Sequence, residues 1–581
     1  MNSPLAPAPD HSATGTQPAT LSEVLTRRAR THGERIAYTY LSDGETEEQH
    51  ITYAELDRRS RQVAGALRKR HLPGERALLV YPSGLDYLIA FFACLRAGLL
   101  AVPVYPPRLI PGRTRGDQAL HRIRGVITDA TPSVLLTTAT LRERLERVVA
   151  DLDEFQNIAW FESDASPSKG DPDATLEPID PDRIAFLQYT SGSTGSPRGV
   201  RISHANLMAN QRMIRDLFDR REGTVVVGWL PLYHDMGLIG QIMQPLYMGG
   251  RCIFLSPAAF LQRPIRWLDA ITRYRADISP APNFAYDLCV QRIKPELRER
   301  LDLSSWTAAL NGAEPVRPGT LQRFAEYFAP AGFRARSFYP CYGLAEATLV
   351  VTGGQGTQSP YLIHAEGAEL ARGHLKQTTE PGPGTRTLVG SGRPAPGTRV
   401  SIVDTATGTE LPPGRVGSII VRGPGVAAGY WNATDTTTFR EDGDGPLLDT
   451  GDLGFLLDDH LFITGRAKDV IIIDGRNLYP QDIEASAEAA DDELRTGGSA
   501  AFAVDAEDGE RLVIACEVEP RCEPERFTEL KMKIRSAVAA AHDVRPGAVI
   551  LLRPGNLPRT TSGKIRRFAC RDLYPGGGMS T

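Results

Sequence analysis

No two cysteines in this chain of 581 residues are spaced as C-x-x-C, which excludes the common redox and zinc motifs built on that pair. The seven cysteines, at 94, 252, 289, 341, 516, 522 and 570, fall mostly in apolar runs and read as reduced packing residues of a cytoplasmic protein. A basic excess is missing too: the net charge is −4, which argues against a nucleic-acid partner. No uninterrupted apolar stretch is long enough for a transmembrane segment. The longest, Tyr87 to Tyr105, is broken by Arg96, Gly98 and Pro103 and reads as a buried helix followed by a strand. Residues 1–20 contain no Lys or Arg and no apolar core, only Pro, Ala, Ser and Thr in abundance, so they read as a disordered tail and not as a signal peptide. The remainder is ordinary for a globular protein, 41% hydrophobic and 23% charged, and is long enough for more than one domain.

The most informative stretch runs from Arg183 to Val200. Ile184 to Gln188 is a short apolar run and reads as a strand. Behind it Thr190, Ser191, Ser193 and Thr194 alternate with Gly192, Gly195 and Gly199, and Arg198 completes the set. Glycines let successive N–H groups converge on one anion, hydroxyls add donors, and a guanidinium fork fits phosphate oxygens. This reads as a phosphate-gripping loop. It is neither a Walker A loop nor a dinucleotide fingerprint, because the required glycine and lysine spacings are absent.

Along the chain, Thr20-Leu-Ser-Glu23 and Thr52-Tyr-Ala-Glu55 are capping boxes that start helices. Short apolar strands at 77–81, 99–104 and 133–137 alternate with helices, which predicts an α/β sheet with parallel strands. Trp229-Leu-Pro-Leu-Tyr-His-Asp-Met-Gly-Leu-Ile-Gly240 sets His234 in apolar surroundings, either as a satisfied core histidine or as a contact to a carboxylate or α-phosphate. Asn311-Gly-Ala-Glu-Pro315 comes after an apolar run, and Tyr339-Pro-Cys-Tyr-Gly-Leu-Ala-Glu346 lies further on. A Gly-Ala turn at a strand end, together with an aromatic ring, suits a purine. From Thr398 the pattern turns β-like. After Lys468 it changes again to a small α+β arrangement, with a hairpin around Asp508-Gly509 and a helix over 525–542.

The loop at 190–199 resembles the phosphate-binding signature of the adenylate-forming superfamily, which includes acyl-CoA synthetases, peptide-synthetase adenylation domains and luciferases. Arg198 stands where that superfamily usually has lysine, so the charge is kept. Tyr81-Pro-Ser-Gly-Leu-Asp-Tyr87, Val104-Tyr-Pro-Pro-Arg108, Phe260-Leu-Gln-Arg-Pro-Ile-Arg-Trp267 and Pro282-Asn-Phe-Ala-Tyr-Asp-Leu288 resemble one branch, the fatty acyl-AMP ligases. The likeness runs from about Leu21 to about Tyr574. A Gly-, Thr-, Gln- and Pro-rich segment at about 353–384 matches an insertion of that branch, and Gly475 to Glu484 resembles it as well, although Asp474 and Leu478 depart from the expected Arg and His. Ser418 stands where the superfamily usually has Glu.

The resemblance implies an α/β fold. Residues 21–467 would form a large AMP-binding domain of α/β subdomains with a small β-barrel-like part, and 468–581 a small mobile α+β domain hinged at Lys468. It implies ATP and Mg²⁺ as cofactors, a fatty acid as substrate and the phosphopantetheine of a holo acyl carrier protein on a separate chain as acceptor. For ATP or AMP it implicates Thr190 to Gly195, Gly312, Ala313, Glu314, Tyr342, Gly343, Leu344, Asp452 of Thr450-Gly-Asp452, and Arg466. Ala313 and Tyr342 would flank adenine, Asp452 would take the ribose hydroxyls, and Glu346 with Thr190 would hold the metal. Lys564, His234 and Arg198 would be catalytic. Trp229, Met236, Gly237, Ile239 and Phe284 would line an acyl pocket, although each is equally well read as core packing. An acyl-CoA ligase and a catalytically dead relative are the competing readings. Against the first stand the insertion and the branch motifs; against the second stands the presence of Arg198, Glu346, Asp452, Arg466 and Lys564 together.

Overall fold

The computed structural model describes residues 18–107, 118–150, 152–164, 177–190, 197–218, 222–354, 359–382, 384–433, 437–473, 476–506, 509–542, 544–560 and 563–574. Both capping threonines cap their helices, and the Glu23 side chain turns back to accept from the Ala19 N–H at 2.8 Å. The Thr20 and Thr52 hydroxyls accept from the N–H groups of Glu23 and Glu55, starting the helices Leu21–His32 and Tyr53–Arg68. Leu56, Val63 and Leu67 of the second helix are buried against the apolar helix Leu85–Ala97. That helix and the strand Leu100–Val104 replace the stretch that is too broken to span a membrane, and no described helix is long and apolar enough to cross one. Arg96 lies inside this packing, 6% exposed. It pairs with Asp57 and donates to Ser60 Oγ at 3.0 Å. Burial pushes its guanidinium down to about 10, with Asp57 pulling the other way.

Two α/β sheets make up most of the large part of the chain. The first has six strands in the order Ala159–Glu162, Val134–Thr137, Arg76–Val80, Leu100–Val104, Ile184–Thr190 and Arg198–Ser203. Its inner pairings are parallel and its last is antiparallel, so Thr190 and Arg198 face each other across the two ends of the phosphate-loop segment. The second has nine strands. Its central run places Phe338–Gly343, Ala308–Asn311, Ile278–Ala281 and Val225–Gly228 side by side and parallel. The segments beginning at Tyr342, Gly312, Pro282 and Trp229 therefore leave neighbouring strands at the same, carboxyl-terminal edge, where open α/β sheets bind ligands.

The β-like region is an antiparallel five-stranded sheet that includes Arg399–Val403, Gly417–Arg422, Gly445–Leu457 and His460–Arg466. Within the segment read as an insertion, Leu362–Glu366 pairs with Gln377–Thr378, and it also pairs with Thr385–Val389 just beyond. From Ile471 onward a separate apolar cluster forms under a three-stranded sheet, Leu494–Ala506, Gly509–Val518 and Ala548–Leu552, with the helices Pro480–Glu488 and Phe527–His542 on it.

Ion pairs join this last part to the rest. Arg317 reaches Glu488 at 2.9 Å, and Arg386 reaches Asp482 at 2.7 Å while lying over the Tyr479 ring. Burial pushes the Asp482 carboxyl up to about 6 against the pull of Arg386, with Glu484 adding to the rise. A carboxyl raised in the folded state contributes stability that is present below its unfolded pKa and is lost as pH rises through the folded one. Asp482→Asn should remove that loss. The melting midpoint of the variant relative to the unsubstituted protein should therefore improve between about pH 4 and about pH 7. A constant difference across that range would show that Asp482 carries no such penalty.

Candidate active site

One cleft of about 2900 Å³ runs along the carboxyl-terminal edge of the nine-stranded sheet and under the last part of the chain. Thr190, Arg198, His234, Ala313, Glu314, Tyr342, Asp452, Arg466, Lys468 and Lys564 all line it. Ser191, Gly192, Ser193, Thr194 and Gly195 lie outside the described residues, as does Asp474.

Asp452 sits on the long strand Gly445–Leu457 and is 8% exposed. Its two oxygens accept from the Tyr342 hydroxyl at 2.7 Å and from Arg466 Nε at 2.9 Å. The Asp452–Arg466 pairing results from register, because the two are opposite each other on adjacent strands. Tyr342 thus touches the carboxylate directly, and burial pushes its own hydroxyl well up.

Ala313 has φ +68°, a left-handed conformation that costs a residue with a side chain and that marks functional turns when packing enforces it. Gly312, just before it, is pressed against the neighbouring strand; a Cβ there would lie 2.9 Å from Cys341 Sγ. At Gly343 a Cβ would lie 1.8 Å from the Leu349 carbonyl oxygen, and the Leu344 N–H donates to that same oxygen at 3.0 Å. These glycines shape the turns, whereas Ala313 and Tyr342 present surface to the cleft.

Glu346 rides on the short turn Ala345–Ala347, which Thr348 terminates at φ +67° while its hydroxyl donates to the Gly425 carbonyl at 2.7 Å. The Tyr430 hydroxyl donates to Glu346 Oε1 at 2.8 Å, and the Arg198 guanidinium lies over the Tyr430 ring, 5.2 Å from its centre. Burial holds the Glu346 carboxyl above the ordinary range. Tyr430 was not reached from the sequence. Its signal is the aromatic pair Tyr430-Trp431 between Gly429 and Asn432, too short to interpret without knowing that Val200 pairs with Tyr430.

His234 Nδ1 lies 2.6 Å from Asp235 Oδ1, and Asp235 also accepts from the Met236 N–H at 2.7 Å, capping a π-helix over Met236–Met243. That helix type is concentrated at functional sites. Burial raises the Asp235 carboxyl, but His234 and then Lys564 outweigh it and leave it below its ordinary value.

Lys564 comes into the cleft on the loop between Thr560 and Ile565, closed by the Thr560 N–H donating to the Lys564 carbonyl at 2.7 Å. Burial lowers its ammonium pKa, opposed by the charges of Asp235 and Glu314. Glu314 is a half-exception to its assignment, because its carboxylate accepts from the Phe284 N–H at 2.6 Å and faces Lys564. Lys468 lies on the three-residue turn Ala467–Asp469, between the strands His460–Arg466 and Ile471–Ile473.

The acyl candidates separate. Trp229 stacks on Phe260 at 3.9 Å and meets Phe284 edge-on at 6.1 Å; Trp229, Phe284 and Met236 line the cleft. Ile239 is fully buried in the main core. At Gly237 a Cβ would lie 2.1 Å from the Pro231 carbonyl oxygen, so its bareness serves backbone packing.

A family of AMP-binding enzymes matches residues 25–431. The chain is 43% identical to the medium-chain-fatty-acid–[acyl-carrier-protein] ligase JamA of Moorena producens, over 96% of this chain and 95% of that one. It is 38% identical to the putative fatty-acid–CoA ligase FadD21 of Mycobacterium tuberculosis, over 95% of this chain and 97% of that one. It is also similar to the crystal structure of a fatty acid AMP ligase from Legionella pneumophila, with 38% identity, TM-score 0.74 and 97% of each chain covered.

Gly237→Ala tests the packing assignment. The variant should melt well below the unsubstituted protein, because a backbone carbonyl must move to admit the methyl group. An unchanged melting midpoint with an altered preference for acyl length would return Gly237 to the acyl pocket.

Proposed function

The chain belongs to the AMP-binding enzyme family, and from that premise we propose that it is a fatty acyl-AMP ligase. In this reading it activates a medium- to long-chain fatty acid with ATP and passes the acyl group to the phosphopantetheine thiol of a carrier protein. The single observation that carries the adenylation half is the meeting of Lys564 with the Asp452–Arg466–Tyr342 group in one cleft. The likeness to JamA and to the Legionella enzyme supports the fatty acid, and JamA supports the carrier protein. A cytoplasmic setting accords with free cysteines at all seven positions.

The reaction joins a carboxylate oxygen of the acid to the α-phosphorus of ATP and breaks the bond to pyrophosphate, which leaves. Two anions must meet, so charge has to be neutralised and the reactants aligned. Adenine lies between Ala313 and Tyr342. Asp452 takes the ribose hydroxyls with the lone pairs that Tyr342 and Arg466 leave, and its two existing bonds hold it rigid. Arg198, fixed over Tyr430, and the hydroxyls from Thr190 onward hold the leaving phosphates.

Glu346 and the Thr190 hydroxyl are hard oxygen donors that both line the cleft, a set that suits magnesium shared with phosphate oxygens. The ion, when bound, supplies charge neutralisation at those phosphates. His234, with Nδ1 engaged by Asp235, has Nε2 for the acid or the α-phosphate. Lys564 bridges the carboxylate and the α-phosphate as charge accumulates. Trp229, Phe284 and Met236 give the acyl chain an apolar wall. The part beyond Lys468 then turns about that residue and removes Lys564, so that a thiol can approach the acyl-adenylate.

Adenylate formation measured across acids of rising length, then repeated with coenzyme A and with holo carrier protein, tests the whole reading. Activity should rise from acetate to medium and long acids, and thioester should form on the carrier protein. Equal rates with acetate and with a long acid would remove the fatty-acid assignment, and thioester on coenzyme A alone would favour the function named for FadD21. Lys564→Ala should slow acyl-adenylate formation by roughly a hundredfold or more while leaving transfer from preformed acyl-adenylate nearly unchanged. An equal loss in both steps would show that Lys564 supports both states or the fold.

A further inference from the structure

The loop that carries Lys564 is anchored by a carboxylate outside the cleft chemistry. Glu517 lies on the strand Gly509–Val518 and is 1% exposed. One of its oxygens, Oε1, accepts from two backbone groups at the root of the loop, the Gly555 N–H at 2.7 Å and the Leu557 N–H at 3.1 Å. The other, Oε2, accepts from Arg495 Nη1 at 3.0 Å and lies 3.7 Å from Arg559 Nη2. A buried carboxylate is tolerated when it is paired and hydrogen-bonded in this way.

Arg559 carries the restraint to the tip. Its Nη1 donates to the carbonyl of Gly563, the residue before Lys564, at 3.0 Å, and its Nη2 donates to the Gly497 carbonyl at 2.7 Å. Gly497 lies in the irregular stretch of Leu494–Ala506 where the pairing register with Gly509–Val518 shifts. A Cβ on the adjacent Gly498 would lie 3.2 Å from Glu517 Cβ. The guanidinium thus spans the two arms of the loop, whose backbones meet at Arg559 and Ile565, and ties them to the sheet. Gly563 itself has φ +89° and lies against the Phe284 ring; a Cβ there would approach that ring to 3.3 Å. The backbone that carries Lys564 is thus held on the residue before it and by the Lys564 N–H donating to Thr560 Oγ1 at 3.0 Å, and a cation misplaced by about 1 Å can cost about a hundredfold.

We propose that Glu517 and Arg559 are positioning residues for adenylation, holding Lys564 at the reaction centre through the Arg559–Gly563 hydrogen bond and the Glu517-anchored root of the loop. The proposal rests on the reading of Lys564 given above. A planar fork bonded to two carbonyls and facing a carboxylate is a task for arginine and not for lysine. Neither residue touches substrate in this role.

Arg559→Met keeps the aliphatic stem and removes the fork; Arg559→Lys restores one bond at most; Glu517→Gln keeps an acceptor for the two N–H groups and loses the charge facing the arginines. Arg559→Met should lower kcat for acyl-adenylate formation by about tenfold or more with KM for ATP and for the acid changed by less than about threefold. Arg559→Lys should recover part of the loss, and Glu517→Gln should fall between. Transfer of the acyl group from synthetic acyl-adenylate to a thiol should stay within about threefold of the unsubstituted enzyme. In the Lys564→Ala background, Arg559→Met should cost about twofold or less, because a residue acting through Lys564 has nothing left to position.

Equal loss of both half-reactions, together with a lowered melting midpoint in Arg559→Met and Glu517→Gln, would overturn the proposal in favour of a structural role. Full additivity of Arg559→Met with Lys564→Ala would also overturn it. If the unsubstituted enzyme makes no acyl-adenylate, it is the functional reading that fails, and the unsubstituted control shows that before any variant is compared.

Discussion

Lys564 is a cation held in a cleft by carboxylates that belong to other parts of the chain. Asp235 and Glu314 extend from the nine-stranded sheet, and Asp452 from the antiparallel sheet; all three attract the ammonium that burial would otherwise neutralise. A site for a polyphosphate has to collect positive charge, and Lys564, Arg466 and Arg198 would repel one another in an empty cleft. The structure offsets this by giving each cation a counter-group: Asp235 and Glu314 for Lys564, Asp452 for Arg466 and more weakly for Lys564, and the face of the Tyr430 ring for Arg198. The cations are therefore held by groups of the protein itself, the electrostatic preorganisation that the proposed nucleotide site requires.

Backbone strain is handled in the same way. Ala313 and Thr348 hold left-handed conformations on either side of the nucleotide candidates, and neither is glycine. Such strain persists only where the surroundings over-determine it. Thr348 is locked by its bond to Gly425 and by burial, and the turn that it ends is also held by the Ala427 N–H on the Glu346 carbonyl, 2.9 Å away. The position of Glu346 is thus set by residues some eighty positions downstream, through contacts that close the sheet edge over the cleft.

That distance explains what the sequence could and could not disclose. The alternation of helices with short apolar strands is local, and it made the parallel sheets and their carboxyl-terminal turns legible, as the capping boxes at Thr20 and Thr52 made helix starts legible. Arg198, Tyr342, Glu346, Asp452, Arg466 and Lys564 could be named from short motifs, and all six line the same cleft. Tyr430 and the Glu517–Arg559 anchor were not legible, because a lone tyrosine or a glutamate outside any motif acquires its meaning only from a partner far away in sequence; Asp235 stands in a quoted motif, but its pull on Lys564 is likewise long-range. Gly237 and Ile239 show the converse: they stand in an informative motif, yet their packing goes to the core and to the Pro231 carbonyl. Motif membership locates a segment at a site; which of its side chains face that site depends on the turn, here a π-helix that the period-3.6 pattern does not anticipate.

The contacts across the boundary near Lys468 have a character suited to motion. Beside the Gly563–Phe284 contact, the boundary is crossed by the ion pairs Arg317–Glu488 and Arg386–Asp482, in which the arginines stay partly exposed while the Glu488 carboxylate is buried; a boundary this polar resembles a transient interface more than a shared core. Inside the last part the opposite holds. Glu484, fully buried, takes both a bidentate Arg567 and the Ala501 N–H, and Glu517 gathers the root of the Lys564 loop. The proposed turn about Lys468, with Lys564 delivered to the cleft, calls for separable external contacts and a stiff interior. The division between ion pairs across the boundary and fully bonded carboxylates within suits both requirements, since in a part that turns as one unit the outer pairs would exchange partners while the inner carboxylates keep theirs.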